Sequence, residues 1–224
     1  MIKLSRSKLE LFMECPRCFW LYVGKGIGRP PGFPFTINNA IDFLLKQEFD
    51  KHRADGTAHY LIKREGIDAV PFMHDDIDKW RHNFTGIQHM HEKSGFLVFG
   101  AVDDIWCDSK EHLIVVDYKA SGAAKGELYD SYKRQMEVYQ WLLRRNGFKV
   151  NDCGYFVYAR VDKDKGFADG NLKFTIDLQS YVGDDSWVEG MIMKARKCLD
   201  EPIPVADPEC DYCSYRAKTA PHEE

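Results

Sequence analysis

Three side chains near the middle of the chain have the types and spacing for metal-assisted chemistry. In LIVVDYKA, Asp117 and Lys119 stand two residues apart at the end of an apolar run, and a β-strand points such residues to one face. The preceding stretch GFLVFGAVDD carries Asp103, which a short reversal brings to the same neighbourhood. Hard carboxylate oxygens hold Mg²⁺ or Mn²⁺, and such an ion lowers the pKa of a bound water and neutralises a phosphate oxygen. A lysine beside them can position that water or stabilise charge developing in the transition state. Downstream, Gln135 and Tyr139 fall at i and i+4, on one face of a helix. The plain alternative is a salt bridge at a strand end, and D-x-K alone does not separate the two. Asp104 is left out of the set, because a strand points it away from its neighbour Asp103.

Four of the seven cysteines form two C-x-x-C pairs, Cys15 with Cys18 in ECPRCFW and Cys210 with Cys213 in PECDYCSYR. In a reducing compartment such pairs serve metal or redox roles more often than structural disulfides. Two pairs at opposite ends of one chain make a four-cysteine metal site credible, and zinc or an iron–sulfur cluster would accept the same thiolates. Closing so long a loop would also restrict the unfolded chain. Cys107, Cys153 and Cys198 are expected to be small buried hydrophobes. His82, His89 and His91 are expected to face solvent, since no acidic or thiol ligand falls beside them.

The elements that must position these residues follow from periodicity. A helix is expected from about Ser7, its cap, to Tyr22, interrupted at Pro16. GKGIGRPPGFP (24–34) reads as a loop, NNAIDFLLKQEFDKHR (38–53) as an amphipathic helix, and 54–94 as polar and less regular. One strand is expected over Gly95–Asp108 and a second over Leu113–Ala120, joined as an antiparallel hairpin. The loop SGAAKGE precedes a helix that stops at Gly147. Strands follow at Cys153–Val161 and Asn171–Leu178, then an Asp-capped helix in DDSWVEGMIMKARKCLD and a proline-spaced tail. This order describes an α/β (α+β) protein with a central mixed sheet flanked by helices. It is expected to form a single domain over 1–224: an N-terminal helical part (1–53), the sheet and helix carrying the carboxylates (95–178), and a C-terminal helix with its cysteine tail (184–224).

The 224 residues are 44% hydrophobic and 29% charged, with a formal net charge of −4. That charge argues against indiscriminate binding to nucleic acid, though local cations or bound divalent ions can still meet a phosphate. No run approaches the ~20 apolar residues of a membrane-spanning helix, and MIKLSRSKLELF lacks the apolar core of a signal peptide. A cytoplasmic setting without membrane contact is expected.

The ordered set Gly100, Asp103, Asp117, Lys119, Gln135 and Tyr139 resembles the PD-(D/E)XK nuclease superfamily, and within it the RecB-type and CRISPR-adaptation-like nucleases. LSRSKLELFMECPRCFWLY resembles the N-terminal helix of those proteins, and CDYCSYR their C-terminal cysteine segment, so the likeness covers most of the chain. The resemblance implies a restriction-endonuclease-like core. Asp103 and Asp117 would be metal ligands, with the backbone carbonyl of Tyr118 a third. Lys119 would be the catalytic lysine, and Gln135 and Tyr139 an accessory pair that orients DNA or the active site. Many relatives place a metal-binding histidine on the second N-terminal helix; here Asp42 is the nearest residue by position. Relatives also tie their termini together with a [4Fe–4S] cluster, using one N-terminal cysteine and three C-terminal ones. This chain has two and two, so Cys18 would be the compensating ligand, with structural Zn²⁺ the alternative at the same four thiolates.

Three function classes follow. The first is a metal-dependent deoxyribonuclease, an exonuclease acting on DNA ends or single strands in repair, recombination or CRISPR-like processing. The second is a non-catalytic nucleic-acid-binding module, disfavoured because Asp103, Asp117 and Lys119 occur together. The third is an iron–sulfur redox protein on the same fold.

Overall fold

In the computed structural model, residues 1–32, 36–122 and 128–222 are described. The chain runs β1 (Ile2–Ser5), α1 (Arg6–Glu14), α2 (Pro16–Phe19), a π-helical turn (Trp20–Gly24), α3 (Thr36–Asp55), α4 (Tyr60–Arg64), β2 (Val70–Pro71), α5 (Ile77–Arg81) and β3 (Ile87–His91). It continues through β4 (Phe96–Gly100), β5 (Asp104–Cys107), β6 (Leu113–Ser121), α6 (Asp130–Arg145), β7 (Cys153–Val161), β8 (Phe174–Val182), α7 (Val188–Asp200) and α8 (Asp211–Thr219). Residues 123–127 of the SGAAKGE loop (121–127), and residues 33–35, which include the end of GKGIGRPPGFP (24–34), lie outside the described residues.

Two sheets form, a three-stranded one in the order β1-β4-β3 and a five-stranded one in the order β2-β5-β6-β7-β8. In the larger sheet β6 and β7 are parallel while the flanking pairs are antiparallel, so the expected mixed sheet flanked by helices is present. The chain divides into two compact units, Met1–Phe33 with His89–Phe99 and Ser186–Glu224, and Pro34–Gln88 with Gly100–Asp185.

In the second unit the run LIVVDY of β6 is buried residue after residue, as a central strand covered on both faces must be. Phe49 of α3 stacks on Trp106 of β5 with ring centroids 5.5 Å apart, inside a core that also holds Leu61, Ile62, Val116 and Val157. Burying each such side chain contributes roughly 1.5–3 kcal/mol. α6 links the parallel pair and is buried from Gln135 to Leu143. It ends before Gly147, whose φ of 87° is a left-handed conformation that glycine adopts without steric cost.

Several expectations are corrected. Ser5, not Ser7, caps α1, accepting the Lys8 N–H at 3.2 Å, because Ile2–Ser5 pair in parallel with β4 and the helix starts directly afterwards. Gly95–Asp108 is not one strand: it breaks between Gly100 and Asp104, where the Val102 N–H turns to the Trp80 carbonyl at 3.1 Å. The polar stretch 54–94 holds α4, β2, α5 and β3. Asp185 does not cap α7, since its carboxylate pairs with Arg144 and Trp187 stands at the cap position, making no side-chain capping bond to the helix. The tail gains a helix, α8. His91 is buried, bonded to Ser94 Oγ at 2.7 Å and to Glu189 Oε1 at 2.9 Å, so a distant acceptor draws it inward. Cys107 and Cys153 are half-buried rather than core, while Cys198 is buried. Among the described residues no helix is long and apolar enough to cross a membrane.

Candidate active site and cysteine metal site

The end of β6 and the start of β5 bring Asp103, Asp117 and Lys119 together. The Tyr118 N–H donates to Asp103 Oδ2 at 2.9 Å, so the β5–β6 hairpin itself fixes that carboxylate. Asp117 is fully buried. Its Oδ1 accepts from Gln135 Nε2 at 2.8 Å, and its Oδ2 is ion-paired with Lys119 Nζ and takes no further hydrogen bond from a described group. Gln135 also presents Nε2 to the Tyr139 hydroxyl at 3.1 Å and Oε1 to Lys119 Nζ at 3.3 Å. Its amide therefore has one workable orientation: turned over, its oxygen would face a carboxylate.

Gly100 explains how α6 comes so near. A Cβ there would lie 2.6 Å from Tyr139 Cε1 and 3.0 Å from Cδ1, closer than carbon atoms pack. The glycine at the end of β4 thus lets Tyr139, and through it Gln135, reach the carboxylates.

Electrostatics follow from this crowding. Burial, and then the neighbouring Asp103 charge, push Asp117 up to about 7 against the pull of Lys119. Burial works against the Lys119 ammonium, but Asp117 and Asp103 outweigh it and hold its pKa above the usual lysine value. Lys119 is therefore a charged donor near neutral pH. The ring of Tyr132 lies 4.4 Å from its Nζ, a cation–π contact the sequence did not reveal.

Asp42 also faces this group. Burial and the charge of Asp103 raise its pKa, and Lys46 Nζ bridges Asp42 Oδ2 at 2.8 Å and Asp103 Oδ1 at 3.6 Å. Lys46 is absent from the expected set, although its i,i+4 spacing from Asp42 is a readable signal. Asp104 does point elsewhere, as strand alternation requires. It is fully buried and held by Arg53, by Arg81 Nη2 at 2.9 Å and by the Tyr118 hydroxyl at 2.7 Å.

A family model for the PD-(D/E)XK nuclease superfamily matches residues 36–218. The chain belongs to this superfamily. The match spans the whole carboxylate–lysine group and Cys210 and Cys213, but not Cys15 and Cys18. Among solved structures, that of SSO0001 is 20% identical over 54% of this chain and 50% of that one, with a TM-score of 0.32. That of LHK-Exo in complex with dAMP is 12% identical over 98% of this chain and 94% of that one, with a TM-score of 0.45. The chain thus spans half the length of the first. No curated protein matches it significantly.

Nucleases of this superfamily use divalent metals, and the residues here fit one. The donors are hard carboxylate oxygens, which suit Mg²⁺ or Mn²⁺. Among the described residues the buried Asp117 Oδ2 is ion-paired with Lys119, and a divalent cation would offset the burial and the Asp103 charge that lift the Asp117 pKa. Of the residues the resemblance named, Asp103, Asp117, Lys119, Gln135 and Tyr139 form one bonded group, with Asp42 joined through Lys46. Tyr118 contributes its N–H to Asp103 and its hydroxyl to Asp104.

In the other unit the four cysteines form a closed set. Each pair spans the start of a helix: Cys15 caps α2 and Cys210 caps α8, so backbone N–H groups at helix N-termini face the sulfurs. The Cys18 N–H donates to Cys15 Sγ at 3.5 Å. Sγ separations are 3.7 Å for Cys15–Cys213, 3.7 Å for Cys18–Cys210 and 4.0 Å for Cys18–Cys213, and all four lie within 4.8 Å of one another. Arg29 Nη2 donates to Cys210 Sγ at 3.5 Å while its guanidinium covers the Tyr212 ring at 4.6 Å. Burial pushes the Cys18 thiol up to about 12. Burial acts likewise on Cys210, but the Cys213 N–H and the neighbouring thiols outweigh it and lower Cys210 to about 7. Four convergent, mostly buried thiols can hold a metal.

Proposed function

We propose that the protein is a metal-dependent deoxyribonuclease that hydrolyses phosphodiester bonds at DNA ends or in single strands, serving DNA repair, recombination or CRISPR-like processing. The observation that carries this reading is the bonding of Asp103, Asp117, Lys119 and Gln135 into one group inside a chain of nuclease ancestry. A divalent ion, when bound there, would supply an activated water and charge neutralisation at the phosphate. Asp103 and Asp117 would hold that ion, with the Tyr118 carbonyl and Asp42 as further candidate ligands. Lys119, ion-paired with Asp117, would in its ammonium form donate to the phosphate oxygen on which negative charge grows. Gln135 holds Asp117 and Lys119 in register, and Tyr139 fixes Gln135 in turn.

The test is cleavage of end-labelled single-stranded, double-stranded and circular DNA with Mg²⁺ or Mn²⁺. Wild type is expected to shorten linear DNA from its ends, and Asp117→Ala and Lys119→Ala to be inactive. Equal degradation by all three proteins would show the assigned site to be wrong, and cleavage of circles would replace exonuclease with endonuclease action.

For the cysteine site the separations support the zinc alternative over [4Fe–4S]. A tetrahedral ion with metal–sulfur bonds of ~2.3 Å sets its sulfurs ~3.8 Å apart, whereas a cubane separates its thiolates by its own width. Metal analysis and visible absorption of anaerobically purified protein distinguish the two. Cys18→Ser is expected to lose the metal and loosen the fold; unchanged metal content in that variant would remove Cys18 from the ligand set.

A further inference from the structure

The position between Asp42 and Asp103, where a second divalent ion would find two carboxylates, already contains a cation. α3 presents Asp42 and Lys46 one turn apart, and the Lys46 ammonium lies 2.8 Å from Asp42 Oδ2 and 3.6 Å from Asp103 Oδ1. The other oxygen of Asp103 is taken by the Tyr118 N–H. Lys46, Asp42 and Asp103 are all partly shielded, with side chains 21%, 34% and 25% exposed. This is a bridged triad rather than a loose surface pair.

We propose that Lys46 is a built-in second cation, so that the site takes one Mg²⁺ or Mn²⁺ ion and not two. The inference rests on the nuclease reading above and deepens it. Its second support is charge. With all three carboxylates ionised, as ion binding requires, Asp42, Asp103 and Asp117 face two ammoniums (Lys46, Lys119), leaving one net negative charge. The nearby Arg53 and Arg81 are matched by Asp50 and Asp104. One divalent ion brings the group to a single positive charge, which one phosphodiester charge balances; two ions would leave it strongly positive with substrate bound. A lysine ammonium on a four-carbon stem is a compact point charge, suited to this place. Lys46 is a positioning residue: it holds Asp42 and Asp103 together and leaves the Asp103–Asp117 side for the ion.

The decisive experiment counts Mn²⁺ bound at equilibrium by the whole protein with its cysteine metal in place. The count is taken as the ions lost in an Asp103→Asn/Asp117→Asn double variant, so that other sites drop out. Wild type and Lys46→Arg are expected to bind one ion and Lys46→Met two, with Lys46→Met/Asp42→Asn returning to one. Cleavage by Lys46→Met should fall roughly 100-fold at low Mg²⁺ and recover with a steeper dependence as Mg²⁺ is raised. Lys46→Gln serves as the second neutral variant should Lys46→Met not fold. Two ions in wild type, or one ion in the folded neutral variant, overturns the proposal. Mn²⁺ binding untouched by the double aspartate variant would instead overturn the nuclease reading, whatever Lys46 does.

Discussion

Gly100→Ala would place a methyl group 2.6 Å from Tyr139 Cε1, 3.0 Å from Cδ1 and 3.3 Å from Leu142 Cδ1. Neither neighbour can easily step aside, since Tyr139 is 3% and Leu142 0% exposed. Gly100 does not occupy the left-handed region, so alanine brings no backbone strain and the clash alone is at issue. Overpacking of this kind costs about 1–3 kcal/mol. Reduced freedom of the unfolded chain offsets about 0.4–1 kcal/mol of it, leaving a net loss of about 1–2 kcal/mol. For a chain of this size that lowers Tm by roughly 2–8 °C. The larger effect is expected in cleavage. Tyr139 receives Gln135, which holds Asp117, and a 1 Å displacement of such a chain can cost about 100-fold in rate. Thermal unfolding and cleavage of end-labelled DNA are measured for Gly100→Ala, Tyr139→Leu and the double variant. Removing the ring removes the clash, so the double variant should be more stable than the summed single effects, with a coupling of about 0.5–3 kcal/mol. A Gly100→Ala protein that melts and cleaves like wild type would refute the idea that close approach of α6 sets the site.

Further outcomes are expected. Asp104→Asn leaves Arg53 and Arg81 without their buried counter-charge and should destabilise by about 3–5 kcal/mol, read from urea unfolding; a loss under about 1 kcal/mol would show that the network does not hold the fold. Mn²⁺ affinity should fall about tenfold per pH unit below about 7 and level off above it, because Asp117, raised to about 7, must shed its proton to accept an ion. In the metal-free protein the same upward shift makes ionised Asp117 a cost, so its contribution to stability declines as pH rises from about 4 to about 7. Asp103→Asn should move the break in affinity to lower pH, and an affinity flat from about pH 6 to about pH 8 would refute the assignment.

What the sequence made legible, and what it hid, follows from how far apart the interacting residues are. β6, α6 and β7 carry strong local patterns, and same-face placement follows from strand and helix periods: Asp117 meets Lys119, and Gln135 meets Tyr139. Alternation likewise put Asp104 away from Asp103. The break between β4 and β5 was hidden because GFLVFGAVDDIWCD is apolar on both sides of it, and no local signal marks a change of sheet. Lys46 was hidden because one of its two carboxylates, Asp103, comes from a distant hairpin. The burial of His91 and the shift of the α1 cap from Ser7 to Ser5 are hidden for the same reason: Glu189 and the strand partner of β1 are remote in sequence.

The adjacent aspartates Asp103 and Asp104 show how the fold separates positioning from chemistry. Asp104 faces inward and is matched by two arginines, so it adds little net field to the site. Its ligands nevertheless reach across the backbone to Asp103: Arg81 Nε donates to the Asp103 carbonyl at 3.0 Å. Tyr118 does the same from β6, its hydroxyl on Asp104 at 2.7 Å and its N–H on the Asp103 carboxylate at 2.9 Å. Burial and then the charge of Asp103 raise the pKa values of Asp117 and Asp42, so the ionised site carboxylates are both desolvated and mutually repelled. Without a rigid frame they would relax by splaying apart. A neutral, fully bonded network on the opposite face resists that movement, keeping the carboxylates close enough to share one ion. Asp104→Asn should therefore weaken Mn²⁺ binding as well as the fold, even though Asp104 touches none of the oxygens that would hold the metal.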